Sequence, residues 1–186
     1  MQTFETSRLL VRPICEEDAE AYEANFADFE IIRHFAKSVP WPYPKGNARC
    51  HIVSEIIPNL GKNRWTWCLF LKTDPLILIG AIDLWCPGHP ENRSFWLGKE
   101  YWGRGLMTEA VIPTTDYAFD KIGFDVLILS NAAGNTRSRR IKEKAGARFL
   151  RNEPMDFNDP SFTHNEIWEL SCTAWRTARK RLGDLQ

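Results

Sequence analysis

The stretch YWGRGLMTEA, Tyr101 to Ala110, sets Gly103 and Gly105 around Arg104 and runs directly into helix-forming residues. A short strand-like segment, SFWLG, stands just ahead of it. A strand, a glycine turn and a helix start, in that order, aim free backbone N–H groups and a positive dipole end at one point, as a pyrophosphate requires. Glycine keeps Cβ atoms out of the way and Arg104 adds charge. The same residues also suit a plain strand-to-helix turn. Two other phosphate motifs are excluded by their own strings, since the chain has neither GxxxxGK[ST] nor GxGxxG in a leading βαβ unit.

Metal and disulfide chemistry find no support. Cys15, Cys50, Cys68, Cys86 and Cys172 are odd in number, scattered and free of CxxC spacing, which fits reduced thiols of a cytoplasmic protein. His34, His51, His89 and His164 lack ligand spacing and read as surface or cap residues, so no metal is expected. Lys plus Arg and Asp plus Glu each total 24, so no global field draws the chain to nucleic acid or an anionic membrane. No apolar run approaches the ~20 residues of a membrane helix, and MQTFETSRLL lacks the pattern of a secretory signal.

The elements that must hold the glycine turn follow from periodicity and turn chemistry. SRLLVRPI reads as a first strand ending near Pro13, and CEEDAEAYEANFADFEIIRHF as one helical stretch with an acidic start. PWPYP, with Trp41 and Tyr43, is a stiff exposed loop. A second helical segment over 47–60 precedes WTWCLFLK and LILIGAIDLW, which read as a hairpin around Thr73-Asp74-Pro75. Trp65, Trp67, Trp85 and Trp96 fall in strand-like runs and read as core, whereas Trp41 could line an acceptor groove. After the glycine turn comes a helix interrupted by Pro113, expected to bend it or shift its start. The strand DVLILS follows, then NTRSRRIKEKAGA, capped by Asn135 and closed by Gly146. ARFLRNE and FTHNEIWELS are two final strands, followed by a basic helical tail from about Thr173. No linker or repeat appears, so 1–186 reads as a single α/β domain with a mixed, twisted central sheet flanked by helices.

This order, together with TSRLLVRPICEEDAEAY, IGAIDLW, FWLGKEYWGRGLMTEAV and NTRSRRIKEKAGA, resembles the GNAT superfamily of acetyl-CoA-dependent N-acetyltransferases. Within it the pattern is most similar to the ribosomal-protein alanine N-acetyltransferases. The resemblance implies acetyl-CoA as co-substrate, held by Tyr101, Trp102, Gly103, Arg104, Gly105 and Leu106 at the pyrophosphate and by Phe95, Trp96 and Leu97 along the pantetheine arm. Asn135 matches a pantetheine-contacting asparagine and is equally a helix cap. The family signature opens with Gln or Arg, and Glu100 stands there instead, a departure that leaves the amide cradle intact.

Acetyl transfer needs a neutral amine, a polarised carbonyl and a proton for the departing thiolate. By resemblance a backbone N–H in the Phe95 to Gly98 region polarises the carbonyl. Many members donate the thiol proton from a tyrosine, matched here by Lys142, while the ribosomal group carries a serine matching Ser138. Ser138 is therefore the general-acid candidate, with a helix-surface serine as the alternative. The carboxylate many members carry before the central strand is matched by Asn92, leaving Asp83, Glu166 or a water relay as the base. The expected acceptor is a protein N-terminal α-amine, seated near Trp41 and Tyr43. Alternatives are a small amine or antibiotic, or a non-catalytic acyl-CoA sensor. Nothing in the residues separates a monomer from a homodimer.

Overall fold

Residues 64–71 are largely apolar on both faces, and a strand buried on both sides must lie mid-sheet with helices above and below. The computed structural model describes residues 1–183 and places it so. The strands β1 (Phe4–Glu5), β2 (Leu9–Pro13), β3 (Arg64–Leu71), β4 (Asp74–Trp85), β5 (Arg93–Leu97), β6 (Val126–Ala132), β7 (Arg148–Pro154) and β8 (His164–Ser171) form one sheet in the order β1-β2-β3-β4-β5-β6-β8-β7. Every pairing is antiparallel except β5 with β6, so the sheet is mixed as expected.

Alternation along β3 and β5 divides the interior. Trp65, Trp67, Leu69 and Leu97 join a core with α4 (Leu106–Tyr117) and α6 (Cys172–Gly183). Cys68, Phe70 and Trp96 face the other way, against α1 (Ala19–Phe26), α2 (Phe29–Ile32) and α3 (Asn47–His51), which continues through a π turn and a 3-10 turn to Asn59. α5 (Thr136–Ala145) shares the α4 side through Ala145 and Ile141. Burying each large aliphatic side chain contributes about 1.5–3 kcal/mol.

Two local expectations, on the first helical stretch and on Trp85, need correction. The first helical stretch is two helices, because Asp28 leaves the helical conformation and accepts the Glu30 N–H as an N-cap. Pro113 lies inside α4, which runs on into a π turn at Ala118–Ile122. Trp85 is only partly buried, its ring stacked on His89 at 5.3 Å. No helix among the described residues is long and apolar enough to cross a membrane.

Candidate active site

The parallel strands β5 and β6 share a single paired position, Arg93 with Leu129, and then part. Asn92 fixes the point of divergence: its Nδ2 donates to the Cys86 carbonyl at 3.0 Å and its Oδ1 accepts the Ile128 N–H at 2.8 Å. Past it a cleft opens between the two strands. Gly98 N–H is taken by the Ile79 carbonyl on β4 at 2.8 Å, and alternation along β5 then turns the N–H groups of Phe95 and Leu97 toward the cleft. Of the backbone donors from Phe95 to Gly98, those two are the ones that face the cleft.

The glycine turn closes one side of the cleft. Gly103 and Gly105 have φ of 74° and 76°, left-handed values that disfavour any side chain. A Cβ built on Gly103 meets nothing within 4 Å, so the space over its backbone is open to a ligand. The first N–H groups of α4 have no partner within the helix and face this space. Arg8 holds the turn from behind, donating to the Arg104 carbonyl at 2.9 Å while pairing with Glu109. Trp102 Nε1 donates to the Leu97 carbonyl at 2.6 Å, tying the turn to β5. Of the residues expected to hold the donor, all but Arg104 line a cavity of about 330 Å³ here. The Arg104 guanidinium instead lies over the Tyr101 ring.

A second cavity, about 580 Å³, lies on the other side of the cleft. The two meet at His34, Phe35, Phe95, Trp96, Asn135 and Ser138. Asn135 caps α5, its Oδ1 accepting the Ser138 N–H at 3.2 Å, so one side chain both starts the helix and sets Ser138 on the shared wall. Behind Ser138 lies Lys142, 2% exposed, its Nζ 2.8 Å from Ser138 Oγ. Tyr43 reaches the second cavity, while Trp41 stays outside it, packed on Phe29 at 5.2 Å.

The two expected carboxylates are otherwise occupied. Asp83 lines the cavity but is held by Arg64 at 2.8 Å and 3.0 Å, and it accepts the Thr66 hydroxyl. Glu166 lies outside both cavities, bonded by Asn131 at 2.9 Å and Arg139 at 3.2 Å, and so anchors α5 to β8. A carboxylate to which the sequence gives no pointer, Glu91, lines the second cavity and has the Ser130 hydroxyl as its side-chain donor. Burial pushes its pKa up, against the pull of Ser130 and of the cations Lys142 and Arg93. Burial, reinforced by Arg33, lowers that of His34, the titratable ring on the shared wall.

A model of the acetyltransferase (GNAT) domain matches residues 8–148. The chain belongs to the GNAT family. Among curated proteins it is 23% identical over 145 residues to YoaA of Bacillus subtilis strain 168, an N-acetyltransferase described as uncharacterized, covering 76% of this chain and 80% of YoaA. Its fold superposes on RimL, a ribosomal alpha-N-protein acetyltransferase in complex with coenzyme A, with a TM-score of 0.78 at 11% identity over 93% of this chain and 99% of RimL. Mycobacterium smegmatis RimJ in complex with CoA-disulfide gives 0.78 at 13% identity over 98% and 93%. The chain is thus an N-acetyltransferase of GNAT fold.

The pairing of Asp83 carries a prediction. Asp83→Ala leaves Arg64 charged and nearly buried without its carboxylate, with His51 as its remaining side-chain contact, and breaking such a pair costs about 3–5 kcal/mol. The melting temperature is expected to fall by roughly 10 °C, at about 2–4 °C per kcal/mol for a chain of this size. A melting temperature within about two degrees of wild type, with turnover abolished, would return Asp83 to the role of base.

Proposed function

We propose that the protein transfers acetyl from acetyl-CoA to a primary amine, with a protein N-terminal α-amine as acceptor. The observation that carries this reading is the meeting of two cavities at Ser138, one walled by an open glycine turn, the other by a carboxylate with no ion-paired cation among the described residues. The glycine turn and the first N–H groups of α4 would hold the pyrophosphate, with the exposed cations Arg137, Arg140 and Lys144 along the same rim for the remaining phosphate. Acetyl-CoA supplies an activated acyl group. The N–H of Phe95 or Leu97 polarises its carbonyl, Glu91 takes the proton of the attacking amine, and Ser138 gives one to the leaving sulfur.

The choice of acceptor rests on charge and shape. Asp83 and Glu91 are the carboxylates of the second cavity, and they are balanced by Arg64 and Arg93. A polyamine or aminoglycoside, with several positive charges, is poorly matched to such a wall. An N-terminal α-amine brings one charge and a pKa of about 7.7–8.0, so it is already partly neutral at working pH. The aromatic lining from Phe26, Phe35, Tyr43 and Phe157 suits a peptide's first side chains. RimL, a ribosomal alpha-N-protein acetyltransferase among the similar structures, favours the same acceptor class.

Thiol release measured across peptides with varied first residues, spermidine and kanamycin tests this. Peptides with a small first residue are expected to give the highest kcat/KM. Turnover of spermidine or kanamycin with none on any peptide contradicts the acceptor assignment.

A further inference from the structure

α5 is basic and reads as a solvated helix, yet Ser138, Lys142 and Ala145 form its buried stripe. A fully buried lysine is costly, and native structures keep one where its ammonium is paired or used. Here the Nζ has one hydrogen bond among the described residues, to Ser138 Oγ, although an ammonium has three donors. Around it stand Arg93, Glu91 and Glu166, none within ion-pair distance of the Nζ, and the Phe95 ring at 5.8 Å. Lys142 touches neither cavity, and Ser138 touches both.

The geometry points to Lys142 as the source of the proton that Ser138 delivers to the departing thiolate, a role that rests on the acetyl-transfer reading above. A serine hydroxyl is much less acidic than a thiol, so alone it is a poor donor to sulfur. With an ammonium 2.8 Å behind it, the hydroxyl passes its proton forward and is refilled in the same event. The balance is complete. The carbon–sulfur bond breaks with its electron pair going to sulfur, the carbon–nitrogen bond forms, sulfur takes the Ser138 proton and Ser138 takes one from Lys142. Glu91 holds the proton lost by the amine, and exchange with solvent restores both groups.

The acidity matches the task. Burial and the neighbouring Arg93 bring Lys142 down to about 7, with Glu91 and Glu166 pulling the other way. That lies below the ~8.5 of an ordinary thiol, so transfer to thiolate runs downhill. Lys142 reaches the donor only through Ser138 and is in that sense a positioning residue.

The test compares Ser138→Ala, Lys142→Met and the double variant, with CoA affinity by calorimetry. Each single change is expected to lower kcat about 10²-fold with CoA affinity kept, and the double no further, since the two act in series. The falling limb of the wild-type pH profile near 7 disappears in Lys142→Met. Lys142→Met should fold, because it removes a buried charge and leaves a side chain of similar length. A second readout uses the unsubstituted protein labelled with ¹³C-lysine: the Lys142 titration shifts on adding CoA and not on adding desulfo-CoA, which lacks the sulfur. Additive losses in the double variant, an unchanged falling limb, or equal response to CoA and desulfo-CoA overturns the relay while leaving acetyl transfer intact. No CoA binding by the wild type overturns both.

Discussion

Glu91→Gln lowers kcat/KM by about 10²-fold or more, the range that a positioned general base supplies. The side chain keeps its size and can still meet the Ser130 hydroxyl, so stability and CoA affinity are expected to change little. The pH profile carries the assignment. A base works deprotonated, and burial raises the Glu91 pKa, so the wild-type rate climbs as pH rises through that raised value and is lost below it. In Glu91→Gln only the rise belonging to the amine itself remains, at about 7.7–8.0 for an N-terminus. His34 is the competing group, because it lies on the wall shared by both cavities and burial keeps it neutral at working pH. If Glu91→Gln loses less than about threefold while His34→Ala loses 10²-fold, the base is His34.

Much of this site is legible in the amino-acid sequence. The glycine turn, its flanking strand and the cap at Asn135 are local features, governed by residues within a few positions of one another, and they emerge in the order read from the chain. The features that periodicity does not reveal depend on distant register. Asp83 faces Thr66 across the β3–β4 hairpin and meets Arg64, a register that the turn at 72–73 does not set alone, because the ladder shifts at Leu69–Leu71 before these residues come opposite each other. Glu91 lies in CPGHPEN, where no periodicity indicates a direction. Contacts to another strand, the Asn92 clamp on Ile128 and the Ser130 hydroxyl on Glu91 itself, hold Glu91 at the cavity.

The burial of Lys142 is hidden in a run of charged residues. Its spacing from Ser138 and Ala145 is that of a helix face, a signal present in NTRSRRIKEKAGA and masked by the surrounding charges. Trp41 and Tyr43 sit two residues apart in one proline-rich loop, and only packing on Phe29 and Phe26 respectively sends one outward and the other into the cavity.

The central claim is that an acyl-CoA pyrophosphate rests on the amides of the glycine turn. Titrating CoA calorimetrically into the wild type and Gly103→Val tests it most directly. A Cβ at Gly103 would project into open space, so the substitution fills the cradle without striking the protein. A valine at a φ of 74° adds strain of about 1–3 kcal/mol, and thermal unfolding without ligand checks that the fold survives it. Wild type is expected to bind CoA and to gain thermal stability from acetyl-CoA by mass action, with NAD and ATP far less effective. The variant is expected to lose at least about tenfold in CoA affinity, or about 1.4 kcal/mol, while remaining folded. Equal CoA affinity in folded wild type and variant contradicts the account.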